Sequence, residues 1–201
     1  APIDPAIIER HKGEARAWFE SLRDRICAAF EKLEDELAGP AAEKVAGMAP
    51  GRFERSAWQR PAQPAQKIGE ADGGGGVMAV MRGRVFEKVG VNCSTVYGTF
   101  APEFAKQIPG SEAAGGHFWA SGISLVAHLR SPLAPAVHMN TRHIVTGKAW
   151  FGGGADITPM FPDSPEAKAD AATFHAALKA ACDGAGADYY ARFKKWCDEY
   201  F

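Results

Sequence analysis

A chain of 201 residues that is 46% apolar and 23% charged has the composition of one soluble globular domain. Its net charge of −1 leaves no electrostatic footprint for nucleic acid or an anionic membrane surface, and no apolar run reaches the roughly 20 residues of a membrane span. Cys27, Cys93, Cys182 and Cys197 form no CxxC pair and no metal-ligand spacing, which argues against a disulfide framework and for a reducing, cytoplasmic setting. The opening Ala1-Pro2-Ile3-Asp4-Pro5 has neither the basic nor the long apolar stretch of a secretory leader.

Residues 6–38 predict a long amphipathic helix that covers a sheet. Trp18, Leu22, Ile26, Phe30, Leu33 and Leu37 recur at spacings of three and four, and Gly39-Pro40 ends the pattern. Cys27 in this helix and Cys182 in a later one read as core thiols. A short helical piece near 41–46 follows, then the stretch from Phe53 to Trp58, then a Pro- and Gln-rich loop over 61–66. Gly73 to Gly76 reads as a flexible turn before a strand from Val77. A phosphate loop is disfavoured, because GxxxxGK[ST] is missing and a strand follows where a helix should. Gly83-Arg84 predicts a turn into a second strand over 85–92, which continues to Phe100. Residues 101–116, broken by Pro102, Pro109 and Gly110, read as loop.

The densest chemistry lies between His117 and Pro159. Period-two geometry puts Ser124, Val126, His128 and Arg130 on one face of a first strand, opposite Ile123, Leu125, Ala127 and Leu129. Pro132 and Pro135 interrupt pairing. In the next strand His138, Asn140, Arg142 and Ile144 share a face, and Val137, Met139, Thr141, His143 and Val145 share the other. A register with Arg130 facing Ala136 puts His128 across from His138 and Ser124 across from Arg142, with opposed Cβ atoms roughly 5 Å apart. Lys148 to Phe151 extends further. The triplet Gly152 to Gly154 lets a backbone turn or approach a ligand, and Asp156 beyond it is either a cap or turn residue or part of a site. Residues 166–182 and 188–201 predict two helices, the first with Phe174, Leu178 and Ala181 inward and His175 at the edge of that stripe. Strands in succession with helices at both ends of the sequence imply an α+β fold on an antiparallel sheet. The last helical pattern stops at Phe201 without a cap, so the expectation is a single domain over 1–201 that is incomplete at its C-terminal end.

His128 and His138 can be a metal pair, an acid/base pair or structural residues. His175 or Asp156 could complete a metal site, although no HExxH spacing is present. Arg142 on a half-buried strand needs an anion, supplied by a protein carboxylate or by a substrate carboxylate. Ser124 lacks the GxSxG context of a hydrolase nucleophile. His143, on the opposite face, reads as structural.

The strings SAWQR at 56–60, GGGG at 73–76, RGRVFEKVGVNCSTVYG at 82–98, GISLVAH at 122–128, HMNTR at 138–142, WFGGGADITP at 150–159 and FKKWCDEYF at 193–201 resemble the oxygen-dependent coproporphyrinogen III oxidases, collinearly and over nearly the whole chain. The resemblance implies a large antiparallel sheet flanked by helices on both faces, a homodimer, and oxidative decarboxylation of two propionates of coproporphyrinogen III to vinyls by dioxygen. It implies no flavin or haem. By the same resemblance His138 is the proton donor, and Asp156 is the acid after the glycine triplet, able to hold pyrrole N–H groups. Ser124, Asn140, Thr141 and Arg142 are implied to bind substrate. His128, His138 and His175 match ligands of a divalent metal such as manganese in some members. Members of the family run beyond the final helix seen here. Two other readings stay open, a non-catalytic tetrapyrrole-binding module and a metal-dependent enzyme acting on another carboxylated small molecule.

Overall fold

The computed structural model describes residues 4–60 and 73–201. The loop expected over 61–66 lies outside the described residues. The elements run α1 (Pro5–Glu36), α2 (Pro40–Glu43), β1 (Glu54–Gln59), β2 (Gly73–Met81), β3 (Phe86–Thr99), α3 (Pro102–Ala105), β4 (His117–Leu129), β5 (Ala136–Val145), β6 (Ala149–Thr158), α4 (Pro165–Asp183) and α5 (Tyr189–Tyr200). The six strands form one antiparallel meander in sequence order. This is the expected α+β fold. Alternating burial along β4 shows why: Ile123, Leu125 and Ala127 are buried, whereas Val126 and His128 between them are exposed.

Helix α1 starts where the Asp4 side chain accepts from the Ala6 amide and Pro5 needs no donor partner. It lies across the apolar sheet face. Ala15, Phe19 and Cys27 pack with Ala79, Met81, Val89, Val91, Cys93, Ile123, Leu125 and Ala127 into one core. Leu22, Ile26 and Phe30 of the expected stripe pack against this core, but the centre of the buried stripe is rotated from the expected one. Trp18 and Leu33 are 52% and 47% exposed, and Phe19 and Glu34 take the inward positions beside them. A regular apolar spacing fits either stripe, and the sheet surface selects the one whose centre is Phe19 and Cys27. Cys27 is a core thiol as expected; Cys182 is only half-buried. Burial pushes the thiols of Cys27 and Cys93 above their ordinary values.

A fully buried carboxylate fastens α1 to the sheet. Glu34 Oε2 accepts from the amides of Gly51 (3.0 Å) and Arg84 (2.7 Å), and Oε1 from those of Val85 and Phe86 (both 2.9 Å). Burial alone would push this carboxyl up, but four backbone N–H donors outweigh it and hold it below the usual glutamate range. Gly83 is required beside it: a Cβ there would sit 2.3 Å from Glu34 Oε2.

Three expectations are corrected. Gly73 to Gly76 is not a turn but the first half of β2, because β1 and β3 flank it closely; a Cβ on Gly75 would meet the Trp58 carbonyl at 2.2 Å. Residues 152–156 are also strand, so Asp156 is neither cap nor turn residue but lies within β6, paired with His138. In α4, Ala181 is exposed and only Ala167 is buried. The segment 101–116 includes the short α3 and a 3-10 turn at Glu112–Ala114. On the second sheet face α5 stands over β6, where a Cβ on Gly154 would meet Phe201 at 3.3 Å and Cys197 Sγ at 3.5 Å. Helices therefore contact both faces.

Candidate active site

The face opposite α1 is polar. The strand registers generate rows across it. One row runs Ser56, Met78, Asn92, Ser124, Asn140, Gly154; the next runs Trp58, Gly76, Ser94, Gly122, Arg142, Gly152. A third contains Val126, His138 and Asp156. Between the first two rows lies an open cavity of about 220 Å³, lined by Asn92, Ser94, Ser124, Asn140 and Arg142 among others.

The hairpin register differs by two residues from the expected one. Ser124 faces Asn140, Gly122 faces Arg142 and Val126 faces His138. The physical cause is at the end of β4. The Arg130 amide donates to the Val85 carbonyl (2.9 Å) and Arg130 Nε to the Gly83 carbonyl (2.6 Å), so this residue is committed to the β2–β3 connection and cannot close the hairpin. A two-residue slip keeps every side chain on its face. The convergence of Ser124, His138, Asn140 and Arg142 survives, but His128 lies beyond it, exposed and opposite Lys88. Thr141 borders the cavity, yet alternation puts its side chain on the α1 face with Met139 and His143.

The polar groups form a directed chain. Arg142 is a donor only, so its Nη1 contact of 3.3 Å fixes the oxygen of Asn140 toward it. The Asn140 Nδ2 then stands 3.5 Å from His138 Nε2, which serves as acceptor. His138 Nδ1, the protonated nitrogen of that tautomer, donates to Asp156 Oδ1 at 2.8 Å. The Thr158 hydroxyl reaches Asp156 Oδ2 at 3.5 Å. The His138 and Asp156 side chains are 29% and 24% exposed, so the pair is part-shielded and still open to a ligand, with the Phe201 ring 5.5 Å from the imidazole. Arg142 is exposed and not half-buried as expected, so water can solvate its guanidinium; it and Ser124 Oγ meet no carboxylate among the described residues and stand open to an anionic ligand.

The three expected metal histidines do not form one donor set. His175 sits between α4 and α5, where its Nδ1 is 3.1 Å from the Tyr190 hydroxyl, His138 is engaged by Asp156, and His128 borders Lys88. Among the described residues no three of His, Cys, Asp and Glu are grouped to hold a metal ion. His143 is structural: it is buried, stacked on Phe151 at 4.4 Å, and burial together with His11 and Lys12 pulls its pKa down. A second cavity, of about 370 Å³, lies under α1, but its arginines are neutralised on the helix, Arg16 by Glu20 and Arg23 by Asp24.

A profile of the coproporphyrinogen III oxidases matches residues 14–201. The chain belongs to the coproporphyrinogen III oxidase family. It is 52% identical over 193 residues to the oxygen-dependent coproporphyrinogen-III oxidase of Rickettsia bellii strain RML369-C, covering 96% of this chain and 62% of the relative. The corresponding protein of Rickettsia conorii is 53% identical over 185 residues, covering 92% of this chain and 59% of the relative. The chain thus spans about three fifths of the length of the curated relatives it matches. Within this coproporphyrinogen oxidase sheet, sequence reasoning missed Asn92, Ser94 and Trp58. The alternation of VGVNCSTV already puts Asn92 and Ser94 on one face, but their neighbourhood with Ser124 depends on the β3–β4 register, which no local pattern contains.

Proposed function

We propose that this chain carries the substrate-gripping and proton-handling wall of an oxygen-dependent coproporphyrinogen III oxidase. The observation that carries the reading is Arg142: a guanidinium on a donor-lined cavity, without a carboxylate partner among the described residues, four residues along β5 from a His–Asp pair and on the same face. The names of the relatives supply the substrate and the oxidant. At about 220 Å³ the cavity is below the roughly 300–1,000 Å³ of whole small-molecule sites, so it suits the carboxylate ends of a tetrapyrrole's arms and not the entire ring.

In the reaction a propionic side chain plus dioxygen gives a vinyl group, carbon dioxide and hydrogen peroxide. Arg142, Ser124 and Asn140 hold the carboxylate region. His138 Nε2, which faces the Asn140 amide at the edge of the cavity, exchanges that long contact for a proton released from the electron-rich pyrrole side and later returns it. Asp156 keeps the imidazole in the right tautomer and stabilises its protonated form, as a positioning residue acting through His138. Its Oδ1 accepts from His138, which leaves Oδ2 as the oxygen that can receive a pyrrole N–H. Thr141 contributes main chain only. His128 and His175 are assigned no shared ion, since the residues present do not converge on one. A homodimer and a cytoplasmic setting belong to the same reading; no helix among the described residues is long and apolar enough to cross a membrane.

The test compares aerobic and anaerobic incubation of coproporphyrinogen III with the protein that carries this chain, measuring carbon dioxide and the vinyl product. Oxygen-dependent release that drops at least a hundredfold in His138→Ala supports the assignment. Binding of the tetrapyrrole without any release would instead make this a binding module, and undiminished turnover in the variant would remove His138 from the chemistry.

A further inference from the structure

The cavity has a second anchored amide that the catalytic reading does not use. Trp58 Nε1 donates to Asn92 Oδ1 at 3.2 Å, from β1 to β3. The two strands are not neighbours; β2 lies between them. At about 4.8 Å per strand the indole has to reach across roughly 10 Å of sheet. It can do so because the residue beside Trp58 on β2 is Gly76, which presents no side chain and could not: a Cβ there would sit 2.4 Å from the Cys93 carbonyl.

This hydrogen bond has a direction. An indole N–H only donates, so the oxygen of Asn92 must face Trp58 and its Nδ2 must face away. No acceptor among the described residues meets that Nδ2. Asn92 lines the cavity and is paired directly opposite Ser124, which itself faces Asn140. The arrangement repeats the one on β5, where Arg142 fixes the Asn140 oxygen and turns its amide nitrogen toward His138. Donor groups therefore extend over β3, β4 and β5, and among the described residues no acidic side chain lines the cavity.

We propose that Asn92, fixed by the Trp58 indole, is a second carboxylate-binding residue of this site, one that donates its Nδ2 to a carboxylate of the ligand other than the one gripped by Arg142. The proposal rests on the reading of the site as a binder of a multiply carboxylated tetrapyrrole. It makes the cavity a two-point reader: Arg142 and Asn140 at one end, Asn92 at the other, with Ser124 between them.

The experiment measures binding of coproporphyrin III, the stable tetracarboxylate, and of its uncharged tetra-amide, by quenching of tryptophan fluorescence in the protein that carries this chain. Asn92→Ala weakens the tetracarboxylate about tenfold, the cost of one hydrogen bond to a charged group. Asn92→Asp, which keeps the shape but adds an anion, weakens it further, and both variants hold the tetra-amide within about twofold of wild type. Trp58→Phe gives a smaller loss, about threefold, and adds nothing on top of Asn92→Ala, because the indole acts only through that amide. Equal losses for the acid and the amide would mean that Asn92 merely supports the sheet, and would overturn the proposal while leaving the functional reading intact. So would unchanged acid binding in Asn92→Asp. A wild-type protein that binds neither porphyrin overturns the functional reading, and this inference with it.

Discussion

Replacing Glu34 with Gln removes one charge from the inside of the protein, and the structure gives its size. Four backbone N–H groups converge on the two carboxylate oxygens at 2.7 to 3.0 Å. A glutamine offers one oxygen, which can accept two of them, and turns an NH2 toward the other two. Two buried donors left unsatisfied cost about 1–3 kcal/mol each. A loss of about 4 kcal/mol is therefore expected, a large share of the 5–15 kcal/mol typical of a domain. With a urea slope of about 2 kcal/mol per molar, the unfolding midpoint falls by about 2 M at pH 7. The pH dependence has a definite sign. The folded-state pKa of Glu34 is depressed, so its stabilisation is complete above the unfolded value of about 4.3 and is lost as pH falls through the folded value. The gap between wild type and Glu34→Gln is thus constant near neutrality and narrows only in acid. Urea titrations by circular dichroism at pH 7 and below pH 4 decide the matter. A midpoint shift under about 0.5 M at pH 7 would show that the loops around residues 51 and 83–86 find other partners, and the reasoning would fail.

The remaining predictions test neighbouring claims. Gly83→Ala forces the Glu34 carboxylate out of its cradle and destabilises by a similar amount, with little further loss in the double variant, measured by the same titrations. His143 is held neutral by burial and nearby cationic groups, so its folded pKa is depressed. Wild type loses stability as pH drops below about 6.5, and His143→Phe, which keeps the stack on Phe151, flattens that slope in melts from pH 8 to pH 5. Asp156→Asn leaves porphyrin binding within about threefold but cuts turnover at least a hundredfold, because the imidazole loses its tautomer partner; equal effects on binding and turnover would place Asp156 on the substrate instead.

Much of the site was legible because strand alternation is local. The faces of β4 and β5 follow from residue order alone, and they survive the two-residue register error intact. The register was not legible, since it depends on Arg130 binding carbonyls near residues 83–85, far away in sequence. The two glycine runs misled for a related reason. Glycine signals freedom when read alone, whereas at Gly74, Gly75, Gly76 and Gly153 it answers the crowding of neighbouring strands that the sequence does not place. In α1 the apolar pattern predicted the helix but not its rotation, because Glu34 is charged and yet fully buried. Only its four amide partners explain that, and three of them lie about fifty residues away.

The row that holds Arg142 also bears on what a ligand must give up on binding. Of its positions, Gly76, Gly122 and Gly152 have no rotamers at all. Each flexible side chain frozen at a binding surface costs about 0.5–1.5 kcal/mol in lost motion. A floor made of bare peptide is already as ordered before contact as after it, so the entropic loss falls on the ligand and on a few anchored polar groups at the rim. If the ligand is the proposed carboxylated tetrapyrrole, the stiffness of its arms then sets much of the entropic cost, and shortening those arms should change binding entropy more than binding enthalpy.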